Sequence, residues 1–237
     1  RDLVRSRGLG DVYKRQVLEE LRRNHLEENT LFIFTSDNGG RGDHGGSNQP
    51  LRGSKGTTWE GGQRVPCIFY WPGHIPGHSV CSGLASNMDF LPTLMHLCGA
   101  KTPLANQIDG VDLSEVLLEG KSSPRKEFFY YIRENLEAVR AGNWKLHVAK
   151  DGKPVRLLYD LEHDVSESRN LYEEYPEIAA ELSRKIEECR KNLGDAVTQT
   201  AGENVRPIGR VENPHPLTEY REDHPYIVMM YDREEIG

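Results

Sequence analysis

The chain has 237 residues, 36% of them hydrophobic and 28% charged, with a formal net charge of -7. No apolar run approaches the roughly 20 residues that a membrane-spanning helix needs, and 37 acidic against 30 basic side chains, with no basic block, argue against a nucleic-acid partner. The four cysteines, Cys67, Cys81, Cys98 and Cys189, form no C-x-x-C pair and are too few for a disulfide framework.

Residues 1–16 carry scattered charge and no apolar periodicity. The run Asp11-Val12-Tyr13-Lys14-Arg15-Gln16 resembles a translated sequencing-library adaptor, so this segment is set aside as non-native, with a genuine basic loop as the alternative, and the chain is expected to be the C-terminal portion of a longer protein. From Val17, the spacing of Val17, Leu18 and Leu21 predicts the last turns of an amphipathic helix. Leu31-Phe32-Ile33-Phe34-Thr35 is a continuous apolar run of strand length, the pattern of a strand covered on both faces of a parallel sheet. Helix followed by buried strand is an α/β signature. A glycine-rich stretch covers 36–64, and Val65 to Trp71 reads as a second strand closed by Pro72-Gly73. Asn87 or Asp89 is expected to cap a short helix with Phe90, Leu91, Leu94, Met95 and Cys98 on one face and Gly99 as its stop. Residues 100–125 are turn-rich, with Leu113 and Val116–Leu118 as a short buried turn.

The texture changes near Ser122-Ser123-Pro124. Phe128–Ile132, Ala138–Arg140, Trp144–Val148 and Leu157–Asp160 are short strand-like pieces separated by the turn pairs Gly142-Asn143 and Asp151-Gly152, which predicts antiparallel pairing. Pro176 then opens a long helix with Ile178, Leu182, Ile186, Cys189 and Leu193 at steps of three and four, ended by Gly194. Among the strand-like pieces, Trp144-Lys145-Leu146-His147 reads as alternation between core and rim. The expected organisation is an α/β layer over 17–122, a small α+β subdomain over 123–194, and a tail over 195–237, including Tyr226–Met230, packed on the body.

Chemistry concentrates in two places. Thr35-Ser36-Asp37-Asn38-Gly39-Gly40 directly follows the first strand, and ligands of open α/β sheets gather at carboxyl ends of strands. Asp37 and Asn38 offer adjacent hard oxygen donors suited to Ca2+ or Mg2+; an Asx turn is the plainer alternative. In Pro50-Leu51-Arg52-Gly53-Ser54-Lys55-Gly56-Thr57-Thr58-Trp59-Glu60-Gly61-Gly62-Gln63-Arg64-Val65-Pro66, Lys55 lies between glycines and can meet a tetrahedral anion as a point charge. Arg52 and Arg64 add positive charge, and Glu60 and Arg64, four apart, are expected to pair. His44 lies between these motifs and is a candidate substrate contact, with a solvated loop histidine as its alternative. His74 and His78 flank Pro76-Gly77 without a third ligand, so no metal pair is read there.

These two segments, followed by IFYWPGHIPG, resemble the formylglycine-dependent sulfatases of the alkaline-phosphatase superfamily, in particular the arylsulfatase A-like branch. LLYDLEHDVSESRNL is similar to that family's Leu-Tyr-Asp-Leu…Asp-Pro…Glu…Asn-Leu segment, with Val165 where Pro often stands, and VRPIGRVENPHPLTEY resembles the tail of some members. The resemblance covers residues 17–237. It implies part of an alkaline-phosphatase-like mixed sheet flanked by helices, followed by an α+β subdomain of antiparallel sheet and one long helix. It also implies sulfuric ester hydrolysis, one Ca2+ held in part by Asp37 and Asn38, and Lys55 on a sulfate oxygen. The substrate would be a glycan, lipid or aryl sulfate, and the location periplasmic or extracellular. The family nucleophile is a formylglycine made in a Cys/Ser-x-Pro/Ala-x-Arg motif, and no such run occurs in these residues, so the chain by itself is expected to be inactive. A phosphoester or phosphonate hydrolase of the same superfamily, and a non-catalytic calcium- or glycan-binding relative, are the alternatives.

Overall fold

A computed structural model describes residues 2–100, 107–207, 210, 212 and 213, with side chains from Tyr13 onward. It forms two compact units that divide between Val205 and Arg206; every element below belongs to the first. The expected arm Tyr226–Met230 lies outside the described residues.

Helix α1 spans Asp2–Arg23. It runs unbroken through the segment set aside above, so helical order begins at Asp2 and not at Val17. Strand β1, Phe32–Thr35, pairs antiparallel with β2, Cys67–Tyr70, in the register Phe32↔Tyr70 to Thr35↔Cys67. The expectation of a doubly covered strand in a parallel sheet is therefore corrected: β1 is half-buried throughout, and Ile68 beside it is 50% exposed. A run of apolar residues reports affinity for an interior but not strand direction. The long connection from Ser36 to Pro66 leaves the chain free to return antiparallel.

That connection contains a single helical turn, α2, Glu60–Gln63. Helix α3, Phe90–Leu97, follows a 3-10 turn at Asn87–Asp89; Asp89 holds the expected N-cap position of α3, but the side-chain cap bonds belong to the 3-10 turn before it. Ser86 Oγ accepts from Met88 N while Asp89 Oδ2 accepts from Ser86 N at 2.8 Å, a capping box. Asp89 is wholly buried and also receives the Arg125 guanidinium, tying α3 to the start of the next layer. Gly99, at φ +66, ends α3 as anticipated. Helix α4, Ser114–Glu119, replaces the expected buried turn.

Strands β3 (Glu127–Ile132), β4 (Asn135–Ala141), β5 (Trp144–Lys150) and β6 (Lys153–Asp160) form an antiparallel meander in that order. Helix α5, Pro176–Leu193, lies on one face. Leu136, Val139, Leu146 and Leu158 of the sheet meet Ala179, Leu182, Ile186 and Cys189 of the helix in one apolar core. Each fully buried Leu or Ile there contributes roughly 1.5–3 kcal/mol. Leu193 stands outside that core, 43% exposed.

The opposite face of the sheet is the larger departure. Lys145 and His147 alternate with Trp144 and Leu146 as expected, yet both are 0% exposed. They form no rim, because the segment 52–62 lies over them. A register shift between Tyr130 and Tyr131, opposite Ala138 and Leu136, leaves Glu137 as the extra residue of β4 and turns it to the same side. Beyond α5, Ala196 N donates to Glu134 O and Glu203 N to Lys191 O, so the chain returns along the sheet and helix end.

Candidate active site

The two glycine-rich motifs meet through their backbones. Gly39 N donates to Gly62 O at 3.0 Å and Lys55 N to Gly40 O at 3.2 Å. Asn48 bridges them, accepting from Gly40 N at 2.7 Å and donating to Gly40 O at 2.8 Å and Gly53 O at 3.2 Å. The approach is too close for any side chain: a Cβ on Gly39 would stand 1.8 Å from Gly61 O. Lys55 rides a tight turn in which Thr57 N and Thr57 Oγ1 both donate to Ser54 O.

The main chains that follow Asn38 and that carry Lys55 are thus joined by direct hydrogen bonds. Asp37 and Lys55 are exposed and Asn38 is half-buried. Among the described residues, the Asp37 carboxylate takes only a 3.5 Å contact from Ser36 Oγ. Its lone pairs remain open to a hard cation, so this donor chemistry fits calcium. Two residues supply only part of a shell that takes about six to eight oxygens. His44 is not in this junction. It sits in an exposed 3-10 turn, Gly42–His44, with Nδ1 3.1 Å from Asp43. The Arg41 guanidinium, and secondarily His44, hold the Asp43 carboxyl down at about 2.

Beneath the lysine loop lies a buried network of charge that sequence reading did not foresee. Lys145 Nζ donates to Thr58 O at 2.8 Å and Glu60 Oε1 at 2.9 Å and lies 3.1 Å from Glu167 Oε1. Glu167 Oε2 accepts from Glu60 N at 2.7 Å, and His147 Nε2 lies 2.9 Å from Oε1. Thr58 Oγ1 donates to Glu137 Oε2 at 2.6 Å, and Lys150 caps this group. The Trp59 ring is held between the Arg52 guanidinium, 3.8 Å from its centroid, Lys150 Nζ at 3.9 Å, and the His147 ring at 4.5 Å. The expected Glu60–Arg64 pair is absent: the Glu60 carboxylate turns inward to Lys145, with Arg140 at 3.5 Å, and Arg64 is exposed.

Because an ionised Glu167 only accepts, His147 Nε2 carries the proton. Nδ1 is then a bare lone pair, buried without a partner. Burial first, and the ammonium groups of Lys145 and Lys150 after it, drive the imidazole down to about 3, so it is neutral. Burial likewise lowers Lys150 to about 8.

Among the described residues, other polar clusters do not assemble catalytic geometry. Ser114 Oγ and Asp112 both approach the same His96 nitrogen, Nδ1, which rules out a relay through the ring. His74 stacks on Trp71. Asp160, Glu162 and His163 come within reach of a single ion, largely exposed at the end of β6.

The described elements form part of an alkaline-phosphatase-like fold, the fold shared with solved sulfatase structures. A sulfatase from Pseudoalteromonas sp. matches with a TM-score of 0.66 at 30% identity, covering 73% of this chain and 39% of that one. The sulfatase family model matches residues 12–100, and the model for the C-terminal region of aryl-sulfatase matches 123–213. The chain belongs to the sulfatase family. It is 39% identical over 188 residues to arylsulfatase A of Bos taurus, covering 67% of this chain and 36% of that protein. It is 41% identical over 137 residues to N-acetylgalactosamine-6-sulfatase of Mus musculus, covering 56% and 26%. It therefore spans about a quarter to a third of these relatives' length.

Proposed function

We propose that this chain supplies part of the calcium and sulfate site of a sulfuric ester hydrolase. The observation that carries the reading is the backbone junction itself: Lys55 N bonded to Gly40 O, two residues beyond Asn38, with Gly39 bonded to Gly62. It supports a reading in which the segments carrying two oxygen donors and the Lys55 ammonium serve one site. Such a site suits an anion held between a divalent ion and a lysine.

Asp37 and Asn38 would contribute oxygens to Ca2+, which when bound neutralises sulfuryl oxygens and orients the sulfur. Lys55 would donate to a sulfuryl oxygen and offset the charge that gathers as the ester S–O bond breaks. The interior network would keep the loop from adapting to solvent, so that the ammonium is preorganised. Without a formylglycine precursor among its residues, this chain by itself would not turn over, since proximity of all reacting groups is what the site must provide. The relatives' names, arylsulfatase A and N-acetylgalactosamine-6-sulfatase, support a sulfate-ester substrate of aryl or glycan type, and family kinship supports an exported protein.

The test is turnover of an aryl sulfate by the full-length protein with and without Lys55→Ala. A loss of about 100-fold or more in kcat is expected for removal of a preorganised charge donor. Undiminished turnover would overturn the assignment, and a preference for aryl phosphate over aryl sulfate would favour the phosphoester alternative.

A further inference from the structure

We propose that Glu167 is a positioning residue for this site, clasping the lysine-bearing loop to the four-stranded sheet at both of the loop's ends. The proposal rests on the sulfatase reading only for why that loop matters. The clasp itself is a matter of geometry.

The loop leaves one end at Arg52 and returns at Glu60, with Lys55 between. Glu167 holds both ends at once. Its backbone carbonyl accepts from Arg52 Nη1 at 3.0 Å, and its Oε2 accepts from Glu60 N at 2.7 Å. The remaining oxygen faces Lys145 Nζ and His147 Nε2, which root it in β5. The loop is closed on itself by Gly61 N donating to Arg52 O at 2.7 Å. One residue more than 100 positions away in sequence therefore fixes the span that carries the candidate ammonium.

Two further observations separate Glu167 from an ordinary buried carboxylate. Its φ is +53, a left-handed conformation that a glutamate adopts only when its surroundings impose it. The imposing agent is Asp164, whose carboxylate accepts from Ser166 Oγ, Ser168 N, Ser168 Oγ and Arg169 N at 2.8–2.9 Å. This folds residues 164–169 into a rigid hook with Glu167 at its tip. Its amide is a poor replacement: Glu60 N–H donates to one oxygen and the Lys145 ammonium faces the other, so in either orientation a glutamine aims its NH2 at a donor.

Glu167→Gln keeps volume and breaks the clasp; Arg52→Met loosens only its exposed end and serves if the first variant folds poorly. Backbone deuterium exchange on the 237-residue chain reads the result. In Glu167→Gln, amides of Lys55, Thr57, Gly61, Gly62 and Gly39 should exchange about tenfold faster or more, with a smaller acceleration in Arg52→Met, while Ala179–Cys189 of α5 hold their rates. Unchanged loop rates in both variants, or loop and α5 rates rising together, would overturn the proposal.

In the full-length protein, Glu167→Gln should lower kcat on an aryl sulfate about tenfold or more, and combining it with Lys55→Ala should cost little beyond Lys55→Ala alone, the non-additivity expected of residues acting through one another. A fully additive double variant would reject positioning through Lys55. If Lys55→Ala alone leaves turnover intact, the sulfatase assignment of Lys55 fails, whereas the exchange result still decides the clasp.

Discussion

The surface junction of Asp37, Asn38 and Lys55 and the interior beneath it are both built from polar and charged residues, yet they sit on opposite sides of the same energetic boundary. In the junction, side chains are exposed or half-buried, order comes from backbone hydrogen bonds between glycine-rich segments, and the charges face solvent. In the interior, Lys145, His147 and Glu167 are 0% exposed, with Glu60 at 1%, and hold their charge or neutrality through one another. On the proposed reading, the residues offered to a ligand contribute little to the fold, while the buried residues beneath set where they stand. Perturbing each side in turn should break or sharpen this contrast.

The largest effect is expected from Lys145→Met. It leaves Glu60 and Glu167 buried, with Arg140 at 3.5 Å and neutral His147 as their remaining side-chain partners. Stranding buried charge costs about 3–5 kcal/mol, to be measured by urea unfolding. Adding Glu60→Gln should return part of the loss, because the pair and not the lysine alone is at stake. A neutral single variant would show that solvent reaches this interior.

Leu182→Ala probes the apolar face of the same sheet. Leu182 is 2% exposed in the core under α5, and truncation of a buried leucine costs about 2–5 kcal/mol. Here loop exchange near Lys55 should shift only as far as global stability does, in contrast to Glu167→Gln, which acts locally.

How much of this was legible in the sequence follows the same divide. The meander, its turns and α5 were readable because period-2 and period-3.6 patterns and the Gly142 and Gly152 turns are local signals, and both glycines adopt positive φ. Asp37, Asn38 and Lys55 stood out as candidates because a carboxylate, an amide and an ammonium in glycine-rich runs are short local motifs, and the structure joins the main chains of those runs. The direction of β1 against β2 was not readable, since pairing depends on a partner more than 30 residues away. Nor was the interior: Lys145 and His147 alternate with apolar neighbours as rim residues do, and only the distant segment Thr58–Glu60 makes them core. The Glu60–Arg64 spacing suggested a helical ion pair, but a one-turn helix with Lys145 beneath it offers Glu60 a buried partner instead. A glutamate followed by two glycines and preceded by an aromatic was the available hint that this stretch is packed against something.

A smaller effect separates the two regions by pH. His147 is held neutral, titrating at about 3 when folded against roughly 6.5 when unfolded. Its contribution to stability is complete above that unfolded value and is lost as pH falls from there toward 3, with a slope of up to about 1.4 kcal/mol per pH unit. Glu167, also depressed, adds its own loss only below the ordinary glutamate range. His147→Gln, whose amide can still donate to Glu167, should therefore flatten the stability profile between about pH 6.5 and 5 relative to wild type. His163, raised by Asp160, tilts the profile the other way but does so in both proteins and cancels in the difference. Parallel profiles would mean that His147 is not buried in the neutral form.

The smallest effect on stability should come from the residues that matter most to the proposed chemistry. Asp37→Asn and Lys55→Ala remove exposed charges, and surface changes of this kind fall within about 0.5 kcal/mol. Neither alters the Gly39–Gly62 or Lys55–Gly40 backbone bonds, which any residue type can make at position 55. Thermal midpoints near wild type, combined with the loss of sulfate-ester turnover proposed for Lys55→Ala in the full-length protein, would separate ligand-facing from load-carrying charge in one pair of measurements. If instead Asp37→Asn destabilised the chain as strongly as Lys145→Met, the strand-end carboxylate would belong to the scaffold, and its open lone pairs would no longer speak for a cation.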